Sequence, residues 1–170
     1  MDVTKAIKER RSIRNFSNED IEKGLLGELV EAAIWAPSGS NIQPWEIKMV
    51  KGDKVDKIKT FSPGLMGDPP VLAVICRDEK MAYNEGGEVC RDVLSVMDVA
   101  IAAQNMCLKA VDIGLGTCLV RSFNKKAVKS LLNLKDGLVP SLIITIGVPK
   151  KIPNPPKKRD KEEITEWIGW

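Results

Sequence analysis

The order of helical and strand patterns along the chain predicts an α+β or α/β sandwich around a small mixed sheet. Four short apolar runs have the length and β-branched content of strands, and amphipathic helical segments alternate with them. No internal repeat or domain boundary interrupts the 170 residues, whose composition is 44% apolar and 29% charged. These values are typical of one soluble globular domain. We therefore interpret residues 1–170 as a single domain, with residues 149–170 as an extended, proline-rich C-terminal arm.

The first half of the chain contains three predicted helices and one strand. Ser17 and Asn18 precede the second helix, whose opening turn is acidic and which Pro37 ends. A polar loop, PSGSNIQP, follows it. In chain order the elements are a helix that ends near residues 10–16, a helix over 19–36, a strand over 45–51 and a polar helix over 51–61.

The second half is dominated by a long periodic segment over residues 88–113, which Gly86 and Gly87 separate from the preceding loop. Its apolar positions line most of the circumference, so it is either central in the fold or buried against a second chain. The remaining elements are a strand over 71–76, a strand over 114–120, a short helix over 124–134 and a strand over 138–149.

Composition excludes several classes of function. The chain has no histidine, which excludes a Ser-His or Cys-His dyad within it and a zinc site built on imidazole. The net charge of +3 does not indicate a nucleic-acid binder. The spacing of its four cysteines matches no metal motif, and we read them as buried apolar residues: Cys76, Cys90, Cys107 and Cys118. Without a signal-like segment or an apolar run near ~18 residues, we expect a cytoplasmic protein with no membrane partner and no metal.

Two segments carry candidate ligand contacts. If residues 10–14 are extended, Arg10, Ser12 and Arg14 share one face and form a clamp for phosphate or carboxylate. If they are helical, the segment is a solvated basic helix end. The loop PSGSNIQPW concentrates hydroxyls and amides between prolines, which is typical of a ligand loop and equally compatible with a plain helix-to-strand connection. Near the C-terminus, the run Lys157–Arg159 follows the stiff prolines of the arm.

Taken together and in this order, RRSIR, PSGSNIQPW, a long helix followed by GLGTC, and a late Lys-x-Arg resemble the FMN-dependent nitroreductase family. The resemblance extends from about residue 3 to Arg159. It implies an α+β fold with a mostly antiparallel sheet and a long central helix at a dimer interface. The chain has only FSPGLMGDPP where larger members carry a helical excursion.

The resemblance also implies which residues contact FMN. Arg10, Ser12, Lys157 and Arg159 would hold the phosphate, with Arg11 beside them, and Arg14 would reach the pyrimidine edge of the ring. The ring and ribityl contacts from the partner subunit would be Pro37, Ser38, Gly39, Asn41 and Gln43. Backbone donors near N5 and O4 would come from Val120, Arg121 and Ser122. No catalytic side chain is implied.

The activity implied by the resemblance is ping-pong reduction of a small acceptor, such as a nitroaromatic or quinone, with NAD(P)H as the donor. The protein would be a homodimer with its flavin sites at the interface. Two alternatives stay open: a non-enzymatic FMN-binding or flavin-storage protein, and another flavin reaction on the same fold, such as reductive dehalogenation.

Overall fold

The computed structural model describes residues 1–170 and contains seven α-helices and four strands. A 3-10 turn at Gly39–Asn41 and a π-helical turn at Cys90–Leu94 add to these. The helices are α1 (Val3–Glu9), α2 (Lys23–Ile34), α3 (Asp53–Thr60), α4 (Glu79–Val89), α5 (Ser95–Asp112), α6 (Lys125–Leu131) and α7 (Lys161–Ile164). The strands are β1 (Trp45–Lys51), β2 (Val71–Asp78), β3 (Gly116–Val120) and β4 (Leu138–Gly147).

The four strands form one sheet in the order β1-β2-β4-β3, and every neighbouring pair is antiparallel. The α+β alternative is therefore confirmed. The parallel component expected of a mixed sheet is reduced to an isolated bridge between Ser12 and Thr117 on the outer edge of β3. That bridge matters because it attaches the arginine-rich segment to the sheet.

Both faces of the sheet are covered by helices. On β2, Val71, Ala73 and Ile75 point toward α2 and α5, whereas the alternate residues point toward α3 and α6. This alternation, with both faces buried, explains why β2 reads as a continuous apolar run. The two cores fix the sheet between its layers, and the candidate ligand segments lie at its edges.

The long helix begins earlier than its apolar pattern predicted. It continues from Glu79 through the π-turn to Asp112, and the side chain of Asp78 caps its start by accepting a hydrogen bond from Met81 N at 2.9 Å. The expected break at the glycine pair is a kink within the helix, since Gly87 has φ +66°. Residues 79–87 are largely polar, so the apolar pattern did not predict that the helix begins with them.

The helix α2, in contrast, begins later than its sequence predicted. The helix begins at Lys23, so the expected acidic opening turn lies outside it. Asp20 instead accepts a hydrogen bond from Ile21 N and pairs with the ammonium of Lys51. Asp20 therefore interacts with Lys51 and not with the dipole of α2.

The segment Glu79–Asp112 is long and apolar enough to cross a membrane by length and composition alone. Its buried side packs into the core with Val99, Ala102 and Met106, as expected of a core helix. Its other side leaves several large apolar side chains exposed in the single chain. These are Met81, Tyr83, Val89, Val93, Val96, Met97 and Ile101.

The arginine-rich segment can approach β3 because Gly116 has no side chain. A Cβ built at Gly116 would lie 2.7 Å from Cγ1 and 2.9 Å from Cβ of Ile13. Both are closer than real Cβ contacts allow, and Ile13 is buried. A side chain at position 116 must therefore push the arginine-rich segment away from the sheet.

We expect Gly116→Ala to lower the free energy of unfolding by about 1–3 kcal/mol, because it overpacks the contact with Ile13. The matched control is Gly27→Ala in α2, where no atom lies within 4 Å of the added Cβ. Ala is favoured over Gly in a helix by about 1 kcal/mol, so the control should be neutral or stabilising. Urea denaturation of both variants measures the difference. Equal stability of the two variants would contradict the close approach.

Candidate functional site

The arginine-rich segment leaves α1 and becomes extended, which decides between the two sequence interpretations. Arg10 has φ −55° and ψ 126°, and the N–H of Ile13 donates to the carbonyl of Thr117 at 2.8 Å. Ile13 is buried, whereas Arg14 is exposed. The alternation therefore directs the polar side chains of the segment away from the core.

These side chains line a cavity of about 550 Å³ beneath the C-terminal arm. No carboxylate is present among its lining residues, which are Ile7, Lys8, Arg10, Arg11, Ser12, Arg14, Pro153, Asn154, Pro155, Pro156 and Lys158. We call this space the basic cavity. Neither Arg10 nor Arg14 takes part in any of the ion pairs of the molecule. Concentrated, uncompensated guanidinium groups are the arrangement that binds phosphate.

Arg11 is used differently from its neighbours. Its guanidinium donates to the carbonyls of Lys8 at 2.7 Å and Arg10 at 2.9 Å, which satisfies acceptors at the end of α1. Its Nε is buried and has no partner. Arg11 therefore fixes the exit from α1.

The C-terminal arm reaches the same cavity, but through an unexpected residue. Lys158 lines it, whereas Lys157 and Arg159 do not. Arg159 instead donates from Nε to the Glu163 carboxylate at 3.1 Å and from a terminal nitrogen to the Glu163 carbonyl at 3.0 Å. Every residue from Lys150 onward is exposed, so few contacts fix the arm on its own chain.

The loop Pro37–Gln43 has an unusual backbone. Ser40, Asn41 and Gln43 have φ values of +50°, +58° and +53°, in the left-handed region that side chains rarely adopt. Internal hydrogen bonds hold this conformation: Gln43 N donates to Ser38 Oγ at 2.9 Å, and Gln43 Nε2 donates to the Asn41 carbonyl at 3.2 Å. Strain of this kind is typical of functional loops, which favours a ligand loop over a plain connection.

The loop rests on the long helix at the π-turn. A Cβ at Gly39 would lie 3.0 Å from Cδ1 of Leu94, and a Cβ at Gly86 would lie 3.1 Å from Cδ1 of Ile42. Arg77 supports the turn from below by donating to the carbonyl of Arg91 at 2.8 Å. The hydroxyl of Ser95 donates to the same carbonyl at 2.8 Å, so two side chains bind the backbone at the π-turn.

A buried carboxylate lies between the loop and the helix. Asp98 is 5% exposed, and its Oδ1 accepts a hydrogen bond from Gly39 N at 3.3 Å, whereas its Oδ2 has no partner. Burial raises the pKa of Asp98, and the Gly39 N–H opposes that rise. Burial also raises the pKa of Cys90, and the charge of Asp98 raises it further, so the thiol and the carboxylate share this environment.

The segment Val120–Ser122 continues from β3 at the sheet edge. Val120 is buried, whereas Arg121 and Ser122 are exposed, and Arg121 donates to the carbonyl of Ser141 at 2.5 Å. The Ser122 carbonyl accepts from Gly64 N at 3.0 Å. The short central segment, to which sequence reasoning assigned no role, therefore packs on this strand end.

The same central segment also reaches the arginine-rich segment. Gly67, with φ +77°, packs so closely on Arg14 that a Cβ there would overlap the Arg14 carbonyl oxygen. The segment thus connects the backbone of Arg14 with that of Ser122. Only glycine permits this approach, because it has no Cβ and adopts positive φ.

Within one chain the predicted residues lie in separate groups, and neither the segment Val120–Ser122 nor Lys157 and Arg159 line the basic cavity. Arg10, Arg11, Ser12 and Arg14 meet in the basic cavity, but no residue of the loop Pro37–Gln43 lines it. Sequence reasoning missed Asp98 and Arg77. The signal for Asp98 was an acid inside the apolar run VMDVAIAA, and the signal for Arg77 was a cation directly after VLAVIC.

Comparisons with known proteins indicate one family over most of the chain. The model of the nitroreductase family matches residues 7–62 and 57–148. A relative from Methanothermobacter thermautotrophicus with the provisional name NADH dehydrogenase/NAD(P)H nitroreductase is 28% identical, and the match covers 96% of this chain and 86% of that protein. An FMN reductase (NADPH) from Bacillus subtilis is 26% identical over 91% of this chain and 68% of its own length. The crystal structure of a nitroreductase family protein from Clostridium novyi NT superposes with a TM-score of 0.79 at 28% identity, covering 88% of this chain and 86% of that one.

Proposed function

The chain belongs to the nitroreductase family, and we propose that it is a cytoplasmic, FMN-dependent oxidoreductase that uses NAD(P)H to reduce a small acceptor such as a nitroaromatic or quinone. The names of its relatives support NAD(P)H as the donor. The observation that carries the flavin is the basic cavity, where Arg10 and Arg14 have no carboxylate partner. A flavin phosphate supplies the negative charge that this cavity lacks.

In this proposal Arg10, Ser12 and Lys158 bind the phosphate, and Arg14 lies at the pyrimidine edge of the ring. The arm has no buried residue, so it can bring Lys157 and Arg159 to the same phosphate once it packs on a second copy. Arg11 holds the segment in place through its two backbone bonds. The cluster thus combines one structural arginine with several ligand-binding groups.

The loop Pro37–Gln43 would supply the remaining contacts. In a single chain it does not reach the basic cavity, so we propose that the loop of one protomer completes the site of its partner. The contacts to the ring and ribityl chain would come from Pro37, Ser38, Gly39, Asn41 and Gln43. Backbone groups of Val120, Arg121 and Ser122 would face the ring at its N5 and O4 edge.

Bound FMN would supply the two-electron chemistry, and the protein residues orient the reactants. NAD(P)H would donate hydride and leave before the acceptor enters the same position, which defines a ping-pong cycle. Solvent can supply the protons, so no side-chain acid is required. This agrees with a site built from arginines, hydroxyls and backbone amides, and we assign no catalytic residue.

The exposed side of the long helix supports the dimer. Val89, Val93, Val96 and Met97 are between 42% and 65% exposed and lie on one side of the π-turn and α5. Large exposed apolar surfaces of this kind mark interaction sites. Obligate homodimers commonly bury more than ~2,000 Å² in total, so we propose that this face packs against a second copy.

We expect the purified protein to carry one FMN per chain and to oxidise NAD(P)H when a quinone is added. Steady-state rates at several quinone concentrations should give parallel double-reciprocal lines, because the two half-reactions are separate. Bound flavin without turnover would support the flavin-storage alternative. A protein that takes up no added FMN would contradict the proposal itself.

We expect Arg10→Ala to weaken FMN roughly ten- to a hundredfold, because a charge-assisted bond to the phosphate contributes about 1.5–3 kcal/mol. Riboflavin lacks the phosphate, so its affinity should not change. Lys5→Ala is the control, since Lys5 is a cation on α1, which directly precedes Arg10, but does not line the basic cavity. Titration of both flavins into flavin-free protein decides. If both ligands weaken equally, Arg10 supports the fold and not the phosphate.

We expect Met97→Glu to produce monomers that also lose FMN, because it places a charge in the proposed interface and removes the partner's loop from the site. Lys57→Glu is the control, since Lys57 lies on α3 at the opposite face of the sheet and is exposed. Sedimentation velocity at micromolar concentration, with absorbance recorded at the flavin band, measures both properties. A flavin-bound monomer would contradict the shared site.

A further inference from the structure

Asp98 is costly for a protein to keep. Its side chain is 5% exposed, and no cation pairs with it. Its only hydrogen bond is the one from Gly39 N. A buried carboxylate without an ion-pair partner destabilises the folded state, and an apolar residue of similar size usually does better at such a position. A residue kept against stability is expected to serve function.

The position of Asp98 indicates what that function is. It belongs to the buried side of α5, between Ser95 and Val99, and it faces the loop Pro37–Gln43 and not the exposed apolar side. The residue it binds, Gly39, immediately precedes the two left-handed residues Ser40 and Asn41. The hydrogen bond is therefore applied where the backbone enters its strained conformation.

The hydrogen bond from Gly39 to Asp98 is one of several contacts that hold the loop on the long helix. Leu94 lies against Gly39, and Ile42 lies against Gly86 beside Cys90. These contacts are apolar, so they hold the loop close to the helix but do not fix its rotation. The carboxylate supplies the one directional contact between the loop and the helix.

We propose that Asp98 is a positioning residue that orients the loop Pro37–Gln43 for flavin binding, by accepting the N–H of Gly39 from within the long helix. This inference rests on the proposed function, because it takes that loop as the flavin contact. Asp98 does not touch the flavin; it acts through Gly39. Its cost to stability is the consequence of placing a directional acceptor under a strained loop.

Two substitutions test this. Asp98→Leu removes the acceptor and the charge but preserves the approximate size, and Asp98→Asn keeps an acceptor oxygen without the charge. We expect the Leu variant to weaken FMN and riboflavin alike, roughly tenfold each, because the ring contacts and not the phosphate contacts are lost. The Asn variant should stay within about threefold of the parent. Asp56→Leu makes the same chemical change on α3, at the opposite face of the sheet, and should alter neither affinity.

The thermal midpoint distinguishes a positioning role of Asp98 from a purely structural one. We expect the thermal midpoint of Asp98→Leu to equal or exceed that of the parent while its flavin affinity falls. If midpoint and affinity fall together, Asp98 is an ordinary packing residue and the proposal is wrong. It is equally wrong if the Asn variant binds flavin as weakly as the Leu variant. Asp98→Ala replaces the Leu variant should that one not fold.

Amide hydrogen exchange of flavin-free protein separates this inference from the proposed function. The amides of Gly39–Gln43 should exchange roughly tenfold faster in Asp98→Leu than in the parent, since their anchor is lost. Unchanged exchange would overturn the positioning role, whatever the flavin data show. If the parent binds no flavin but exchange is accelerated in the variant, Asp98 anchors the loop and the proposed function is what fails.

Discussion

The hydrogen bond from Ile13 N to the Thr117 carbonyl determines where the arginines of this protein lie. It attaches an extended segment to the outer edge of β3, at a point where Gly116 leaves room for the Ile13 side chain. With Ile13 anchored in the core, the alternation of an extended chain turns the neighbouring polar residues outward. The basic cavity is therefore a consequence of how the sheet edge is closed, and any change that separates Ile13 from β3 must also disperse the guanidinium groups.

The two sides of the long helix have different roles. One side, with Val99, Ala102 and Met106, completes the core on the sheet, and the other presents large apolar side chains to the outside. The π-turn lies between α4 and α5, directly under the loop Pro37–Gln43. At this turn the carbonyl of Arg91 accepts hydrogen bonds from Arg77 and from the hydroxyl of Ser95. The long helix thus contributes to the core, supports the loop Pro37–Gln43 and presents the exposed apolar face that we propose contacts a second copy.

The sequence was sufficient for the fold class and the four strands, because each rests on local periodicity or on a strand-length apolar run. It left open whether the arginine segment is extended or helical, and the hydrogen bond of Ile13 to the Thr117 carbonyl decided this. The sequence was insufficient where a tertiary contact decided the outcome. The helix α2 begins at Lys23, and Asp20 outside it pairs with Lys51, while the Asp78 cap lies at the start of a polar stretch of the long helix. It also gave no role to FSPGLMGDPP, since the contacts of Gly64 and Gly67 are made by backbone atoms and leave no side-chain pattern. The C-terminal arm lines the basic cavity with Lys158, whereas contacts of Lys157 and Arg159 with the phosphate stay predictions.

The unpaired arginines of the basic cavity and the unpaired Asp98 differ in sign and in position. The arginines of the basic cavity are unpaired but face open space, so water and ions can screen them until an anionic ligand arrives. Asp98 is unpaired and enclosed, and it acts on groups next to it: it accepts the N–H of Gly39, and its charge raises the pKa of Cys90. A positive group left free at the surface of a cavity is suited to binding, whereas a negative group enclosed beneath a loop is suited to orientation. We propose that the chain separates these two tasks between its N-terminal segment and its long helix, and that the loop Pro37–Gln43 of a second protomer brings them together at one flavin.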